Sequence, residues 1–236
     1  MNTNELTHIR EEEQRYHEQY YDENSLYEKG SWLEEPDHRV LEFLSLLDRK
    51  EPLQILDLGC GVGRNSIPMA EAVKASGGRV LCVDLLKSAL DQLGIYSKQY
   101  GVEPSITTHP ADIGDFAFLE SSYDYIVAAS SLEHIQFESR LKKVLASMVK
   151  GTKVSGINLI FMNTNIKEIS IPSGDIRKPL FEILITKEEM LAHLREAYVG
   201  WEELHVSDQP LRLEITRDGT PVMLQADHLV FAARKV

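Results

Sequence analysis

The 236-residue chain is poor in the residues that staple, anchor or attract. It has two cysteines, Cys60 and Cys82. They are too few for a disulfide framework and lack zinc-ligand spacing, so no metal site is expected. Each falls in or at the end of an apolar strand pattern, where cysteine acts as a small hydrophobe. No stretch approaches the roughly 20 apolar residues of a membrane span. The opening "MNTNELTHIREEEQ" has no apolar core of a signal peptide, so a cytoplasmic protein with no membrane partner is expected. Positive charge is scarce: 25 Lys and Arg face 37 Asp and Glu, for a formal net charge of −12. No Lys/Arg-rich run offsets that field, which argues against a nucleic-acid partner. The first 51 residues alone hold 14 acids and 6 bases, a pattern that reads as a solvated helix face. There is no internal repeat and no low-complexity tract.

What is present suits one soluble domain with additions: 43% hydrophobic and 26% charged residues over this length. Residues 5–20 read as a polar helix with Leu6, Ile9, Tyr16 and Tyr20 as its few apolar contacts. Residues 20–37 are irregular and aromatic-rich. Residues 37–47 form an amphipathic helix, capped by Asp37 and carrying Val40, Leu41, Leu44 and Leu47 at helical spacing. Residues 1–50 are thus a helical extension, and 51–236 the main body.

From residue 53 the pattern alternates. "LQILDL", "RVLCVD", "SITTHPAD", "YDYIVAAS" and "KVSGINLIFMN" read as strands. Between them "GRNSIPMAEAVKAS", "LKSALDQLGIYSKQY" and "EHIQFESRLKKVLASMV" read as helices, the first stopped by Gly77-Gly78. Short apolar strands joined by helical crossovers imply an α/β fold, a parallel sheet with helices on both faces. Residues 163–185 read as an irregular insert broken by Pro172, Gly174 and Pro179. "TKEE" at 186–189 is a capping box opening a helix to Gly200. "WEELHVSD", "PLRLEIT" and "DHLVFAARK" then read as strands, with Asp218-Gly219 as a hairpin turn.

The chemistry concentrates in "ILDLGCGVGRNSIPMAEA", residues 55–72. Strand, glycine turn and helix make a nucleotide-type site at the carboxyl end of the strands. A dinucleotide fingerprint needs its third glycine at position 64, which is Arg64. The sequence reads D-x-G-x-G-x-G instead, with Asp57 two residues before Gly59, then Gly61 and Gly63. A pyrophosphate at the helix N-terminus would meet the carboxylate of Asp57. A ligand with both an ammonium and a carboxylate suits both features, and S-adenosylmethionine (SAM) is such a ligand. Asp84 ends the second strand, where an acid accepts from ribose hydroxyls, with Leu85 and Leu86 as apolar surface for adenine. Asp112 follows the third strand, where it can accept from the adenine amino group. Three acids after three successive strands form one ligand edge.

The arrangement resembles the class I SAM-dependent methyltransferases over residues 53–160. The resemblance implies a Rossmann-like, seven-stranded sheet whose last strand is antiparallel. It implies SAM as cofactor, S-adenosylhomocysteine as product, and Cys60, Asn65, Ile113 and Ala129 as further cofactor contacts. "DLGCGVGRNS", "GINLIFMNTN", "FEILITKEEMLAHLREAYVGWEEL" and "FAARKV" are similar to the tellurite-resistance methyltransferases. That narrower resemblance implies methylation of tellurium and selenium oxyanions. The sequence departs from it in the first 50 residues, in the length of "EISIPSGDIRKP" and in a missing histidine before the last turn.

On the acceptor side, His134 follows the fourth strand and is the candidate catalytic residue, orienting an anion or taking a proton near neutral pH. Glu133 reads as an acid answering the following helix dipole. Arg64 either binds an anionic substrate or pairs with an acid. Arg177, with Lys178, either lids the site over substrate or lies in a solvated loop. Tyr16, Tyr20, Tyr21, Tyr27 and Trp32 either close over the cofactor or pack on the sheet. The expected activity is methyl transfer to a small molecule, a chalcogen oxyanion or thiol-like nucleophile first. O-, N- or C-methylation of another metabolite and a non-catalytic SAM sensor are the alternatives. A dinucleotide oxidoreductase is disfavoured by the glycine spacing.

Overall fold

The computed structural model describes residues 3–48 and 50–236. Helices α1 (Thr3–Glu23) and α2 (His38–Ser45) precede β1 (Gln54–Leu58). Then come α3 (Ser66–Val73), β2 (Arg79–Asp84), α4 (Lys87–Gln99), β3 (Ile106–Pro110), β4 (Tyr123–Ala129) and α5 (Glu138–Gly151). The chain ends with β5 (Thr152–Ser170), β6 (Ile176–Arg177), α6 (Lys187–Ala197), β7 (Glu202–Arg217) and β8 (Thr220–Arg234). The sheet order is β3-β2-β1-β4-β5-β8-β7, with short β6 pairing only to β5. Strands β1 to β5 are parallel, and β8 runs antiparallel between β5 and β7. This is the expected α/β sheet with one reversed strand, plus the two-residue β6.

Side-chain alternation builds a core on each face. Ile55, Tyr125, Val127, Ile157 and Leu159 face Val40, Leu44, Ile67, Met69 and Leu93 from α2, α3 and α4. Leu56, Leu58, Ile126, Ala128, Ile160 and Met162 face Leu141, Leu145, Met148, Met190 and Leu194 from α5 and α6. A third, smaller cluster joins Phe181, Ile215, Val222 and Leu224 to Tyr16 of α1. Asp37 caps α2 by accepting from Arg39 N at 3.0 Å, and the turn residues Asp218 and Gly219 both take left-handed φ, +50° and +70°. Both features match expectation.

Three expectations fail for identifiable reasons. Residues 163–185 are not an irregular insert throughout: β5 runs on to Ser170, paired to β8 across an irregularity at Thr164/Lys167 where Asn165 has φ +51°. The breakers Pro172 and Gly174 lie beyond that end, in the turn before β6. Residues 202–217 are one strand rather than two. Pro210 sits in β7, which pairs only with β8 and so keeps an open edge where a missing N–H costs no ladder bond. The helix after β4 starts at Glu138, not at residue 133; residues 132–134 form a 3-10 turn and Phe137 has φ +71°.

The long β5, β7 and β8 reach past the sheet body and carry α1 on their far ends. The capping box that opens α6 is complete: Glu189 N donates to Thr186 Oγ1 at 3.2 Å, and Thr186 N donates to Glu189 Oε2 at 3.0 Å. Thr186→Ala is expected to cost about 1 kcal/mol, seen as a fall in Tm of about 2–4 °C for a chain of this size.

Candidate functional site

The loop between β1 and α3 is held by backbone bonds to the neighbouring strand. Gly59 N and Cys60 N both donate to Val83 O, at 2.8 and 3.1 Å. Gly61 N donates to Asp84 Oδ2 at 2.8 Å, and Leu86 N donates to Asp84 Oδ1 at 2.9 Å. The Asp84 carboxylate thus ties the glycine loop to the tip of β2. Gly59 and Gly61 have φ of +72° and +52°, where a side chain is strained. A Cβ on Gly59 would lie 2.3 Å from Ser131 Cβ, and one on Gly61 2.7 Å from the Tyr21 hydroxyl. Gly63 lets α3 approach α4: its Cβ would lie 2.4 Å from Leu93 Cδ1.

Asp57 is buried under this loop and accepts from Ser66 Oγ at 2.5 Å. Burial pushes its carboxyl up to about 6, Ser66 opposing and the nearby Asp84 adding to the rise. Burial also raises Asp84, against the two backbone donors that hold its charge. Asp112 caps a 3-10 turn by accepting from Gly114 N at 2.8 Å and pairs with Arg10 at 2.7 Å. Ile113 approaches the Gly59 position, Leu85 is half-exposed, and Ala129 ends β4. Asp57, Gly59, Cys60, Gly61, Gly63, Asp84, Leu85, Asp112, Ile113 and Ala129 therefore gather around the carboxyl ends of β1, β2, β3 and β4. Asn65 stands apart from them in role: buried, it accepts from Asp37 N at 3.1 Å and joins α3 to the start of α2.

The opening helix, expected to be a solvated face, lies across these strand ends. Glu12 and Glu13 are 3% and 8% exposed. Arg10, Glu13, His17 and Tyr21 recur at three- and four-residue spacing, so they share one face of α1. Arg10 reaches Asp112, Tyr21 reaches Gly61, and His17 packs 5.7 Å from the Tyr21 ring. Tyr16, Tyr20, Tyr21 and Trp32 form a continuous cluster, with Tyr20 stacked on Trp32 at 5.0 Å, while Tyr27 packs against Tyr100.

His134 meets this face. Its Nδ1 lies 3.3 Å from Glu182 Oε2 and its Nε2 3.9 Å from Glu13 Oε2, while the ring stacks on Phe181 at 5.5 Å. Burial alone would lower the imidazole, but Glu13, Glu182 and Glu133 outweigh it and push it up to about 10. Burial would raise Glu13, but His134, His17 and Arg217 hold it down at about 2. These carboxylates favour the imidazolium form, which suits the anion-orienting half of the expectation for His134 and disfavours the proton-accepting half. Glu133 does not answer a helix dipole either. It is buried, accepts from Asn163 Nδ2 at 2.8 Å, and is raised by that burial.

The arginines are placed differently from expectation. Arg64 Nη1 donates to Trp32 O at 2.9 Å and its guanidinium sits over the Trp32 ring, so it anchors the aromatic segment. Arg177 pairs with Asp218 at 3.1 Å and reaches Arg217 O, so its charge is spent on the β7–β8 turn rather than at the strand ends. The arginine of consequence is Arg217, 2% exposed, which pairs with Glu13 and, at 3.1 Å, with Glu168. Arg10, Glu13, His17, Glu182 and Arg217 escaped the sequence reading. The one local signal was Glu13 and His17 four residues apart on a helix with few apolar positions.

A parallel sheet with a glycine loop after β1, an acid at the tip of β2 and one reversed strand is the fold of the class I SAM-dependent methyltransferases. Residues 55–156 match the family model described as a methyltransferase domain. The chain is 28% identical over 168 residues to the probable S-adenosyl-L-methionine-dependent methyltransferase TehB of Haemophilus influenzae, covering 67% of this chain and 52% of that protein. It is 27% identical over 119 residues to a ubiquinone biosynthesis O-methyltransferase of Rickettsia conorii, covering 50% and 38%. The crystal structure of TehB from Haemophilus influenzae superposes with a TM-score of 0.63 at 22% identity, covering 93% of this chain and 67% of that one. The chain thus spans about half or less of the length of these curated relatives. It has the fold of the class I SAM-dependent methyltransferases, and it is similar to TehB in sequence and in structure.

Removing one partner from the Glu13–Arg217–Glu168 group strands buried charge. Arg217→Met is expected to destabilise the fold by about 3–5 kcal/mol, and the triple variant R217M/E13Q/E168Q to recover most of that loss. Urea midpoints measure both. A cost for R217M below about 1 kcal/mol would mean that the group does not hold α1.

Proposed function

We propose that the protein transfers a methyl group from SAM to a small-molecule acceptor whose nucleophilic atom arrives already deprotonated. The observation that carries the cofactor is the cradle of Asp57, Gly59–Gly63 and Asp84. The loop takes left-handed backbone at Gly59, Gly61 and Gly63, and two carboxylates border it. Carboxylates there suit an ammonium and a sulfonium and repel a pyrophosphate. On this reading Asp57 faces the ammonium, Asp84 accepts from ribose hydroxyls, and Leu85, Ile113 and Asp112 serve the adenine. Bound SAM supplies an electrophilic methyl group on sulfur.

The chain's own work is alignment and exclusion of water. Helix α1 covers the strand ends through Arg10, His17 and Tyr21, and so bounds the reaction space. His134, cationic at neutral pH, and Glu13, held near 2, are both poor general bases. That favours a thiolate or a chalcogen oxyanion, the soft nucleophile expected above. O-methylation, as in the name of the Rickettsia relative, needs a hydroxyl that ionises without His134. A SAM sensor would bind and not turn over.

Calorimetry should detect SAM and S-adenosylhomocysteine binding and no NAD binding; the reverse result would sink the cofactor reading. Asp84→Ala should weaken SAM by roughly 1.5–3 kcal/mol, through a lost charged acceptor. Because Asp57 titrates near 6, its ionised fraction falls roughly tenfold between neutral pH and a pH one unit below that value. SAM affinity should fall by a similar factor over that range, and Asp57→Asn should remove the dependence. With labelled SAM, tellurite, selenite and thiols should be tested beside catechols. Turnover on catechols alone would overturn the soft-nucleophile reading.

A further inference from the structure

We propose that Glu13, His17 and His134 bind a first-row divalent metal ion at the acceptor side of the crevice, contrary to the sequence expectation of no metal. Glu13 Oε2 lies 3.5 Å from His17 Nε2 and 3.9 Å from His134 Nε2. All three donor atoms lie within 4.8 Å of one another. Ligands bound at about 2.1 Å around a tetrahedral ion are separated by about 3.4 Å, so closures of about 0.1 Å and 0.5 Å for the two Glu13 pairs, and of no more than about 1.4 Å between the imidazoles, complete the set.

The surroundings point each donor inward. Arg217 takes the other Glu13 oxygen, Oε1. Glu182 Oε2 lies against His134 Nδ1 at 3.3 Å, the carboxylate–histidine relation that orients a metal-binding imidazole and leaves Nε2 as ligand. His17 Nδ1 is buried without a hydrogen-bond partner, leaving Nε2, beside Glu13, as that ring's polar contact. Glu13 and His17, four residues apart on α1, present both donors on one helix face, as helical chelates do.

Two imidazoles and one carboxylate suit zinc, cobalt, nickel or ferrous iron, and are too nitrogen-rich for magnesium or calcium. Three protein ligands leave a position open, the pattern of a site that also takes water or a substrate atom. That position would hold a thiolate or oxyanion. This role rests on the methyl-transfer reading; the binding of the ion does not.

The test uses the untagged full chain, stripped with EDTA and dialysed, titrated by calorimetry with Zn(II), Co(II) and Mg(II). One equivalent of Zn(II) and of Co(II) should bind, and Mg(II) should not compete. His17→Ala and His134→Ala should each weaken Zn(II) by at least about 100-fold, and Glu182→Gln by about 10–100-fold. His8→Ala should leave it unchanged, since His8 belongs to a separate, more exposed group with Glu12 of α1 and Asp218 of the β7–β8 turn. Should a histidine variant misfold, pulsed EPR of the Cu(II)-loaded native chain counts coordinated imidazoles, and two are expected. No saturable Zn(II) site below about 1 mM, binding that survives H17A and H134A, loss in H8A, or fewer than two imidazoles would overturn the proposal. SAM binding by the stripped protein is measured separately, so failure of the metal site and failure of the cofactor reading remain distinguishable.

Discussion

One carboxylate ties the molecule together at its functional end. Glu13 on α1 meets Arg217 from the tip of the β7–β8 hairpin through one oxygen and faces His17 and His134 through the other. Its three partners come from the opening helix, the turn after β4 and the end of β7. The group therefore assembles only when the sheet is complete. A buried ion pair is a weak source of net stability, because desolvation offsets much of the Coulomb gain. Its consequence is positional: any docking of α1 that leaves Glu13 unpaired, or Arg217 without a carboxylate, strands charge in a poor solvent. The opposite charges admit one register of α1 on the strand ends.

That register depends on strand length. If β5, β7 and β8 stopped with the parallel strands, Arg217 and the small cluster of Phe181, Ile215, Val222 and Leu224 would have no place under Tyr16. The extension of β5 to Ser170 and the tight Asp218-Gly219 turn build a shelf beyond the sheet body. Asp218 then serves the helix twice: its N–H donates to Glu12 Oε2 at 2.9 Å, and its carboxylate lies 3.3 Å from His8. Lys178, just past β6, pairs with Glu5 of the same helix. A helix with few apolar residues is thus fixed mainly by charge pairs on a shelf built from the other end of the chain.

This division explains what could be read from the sequence. Strand and helix period, the glycine turn, Asp84 at the tip of β2 and the Thr186 capping box are local patterns, decided by residues a few positions apart. The burial of Glu12 and Glu13 is not local. Their partners Asp218 and Arg217 lie more than 200 residues away, and a run of acids looks the same whether solvated or paired. Pro210 misled for a related reason: whether proline breaks a strand depends on whether that strand lies at an edge, which is a property of the sheet. The alternatives for Arg64 and Arg177 stay open in the sequence because the groups that engage them, the Trp32 carbonyl and Asp218, become neighbours only in the fold.

The same nonlocal charges shape the chemistry of the crevice. His134 alone, in the first turn after β4, has the composition of a general base. Placed between Glu13 and Glu182 it keeps a proton, or on the proposal above exchanges it for a metal ion. Neither form accepts a proton from an acceptor at neutral pH. On the proposed function the acceptor must then arrive already deprotonated, which favours thiolates and oxyanions over protonated amines and alcohols. Across the glycine loop the balance is reversed. Asp57 and Asp84 border the loop, with Asp57 raised toward neutrality by burial. A bound cation would offset that burial by restoring the charge on Asp57. On the proposed function, carboxylates without a cationic partner beside the glycine loop and ion-paired groups around His134 suit a cationic methyl donor meeting an anionic nucleophile, with α1 covering the space between them.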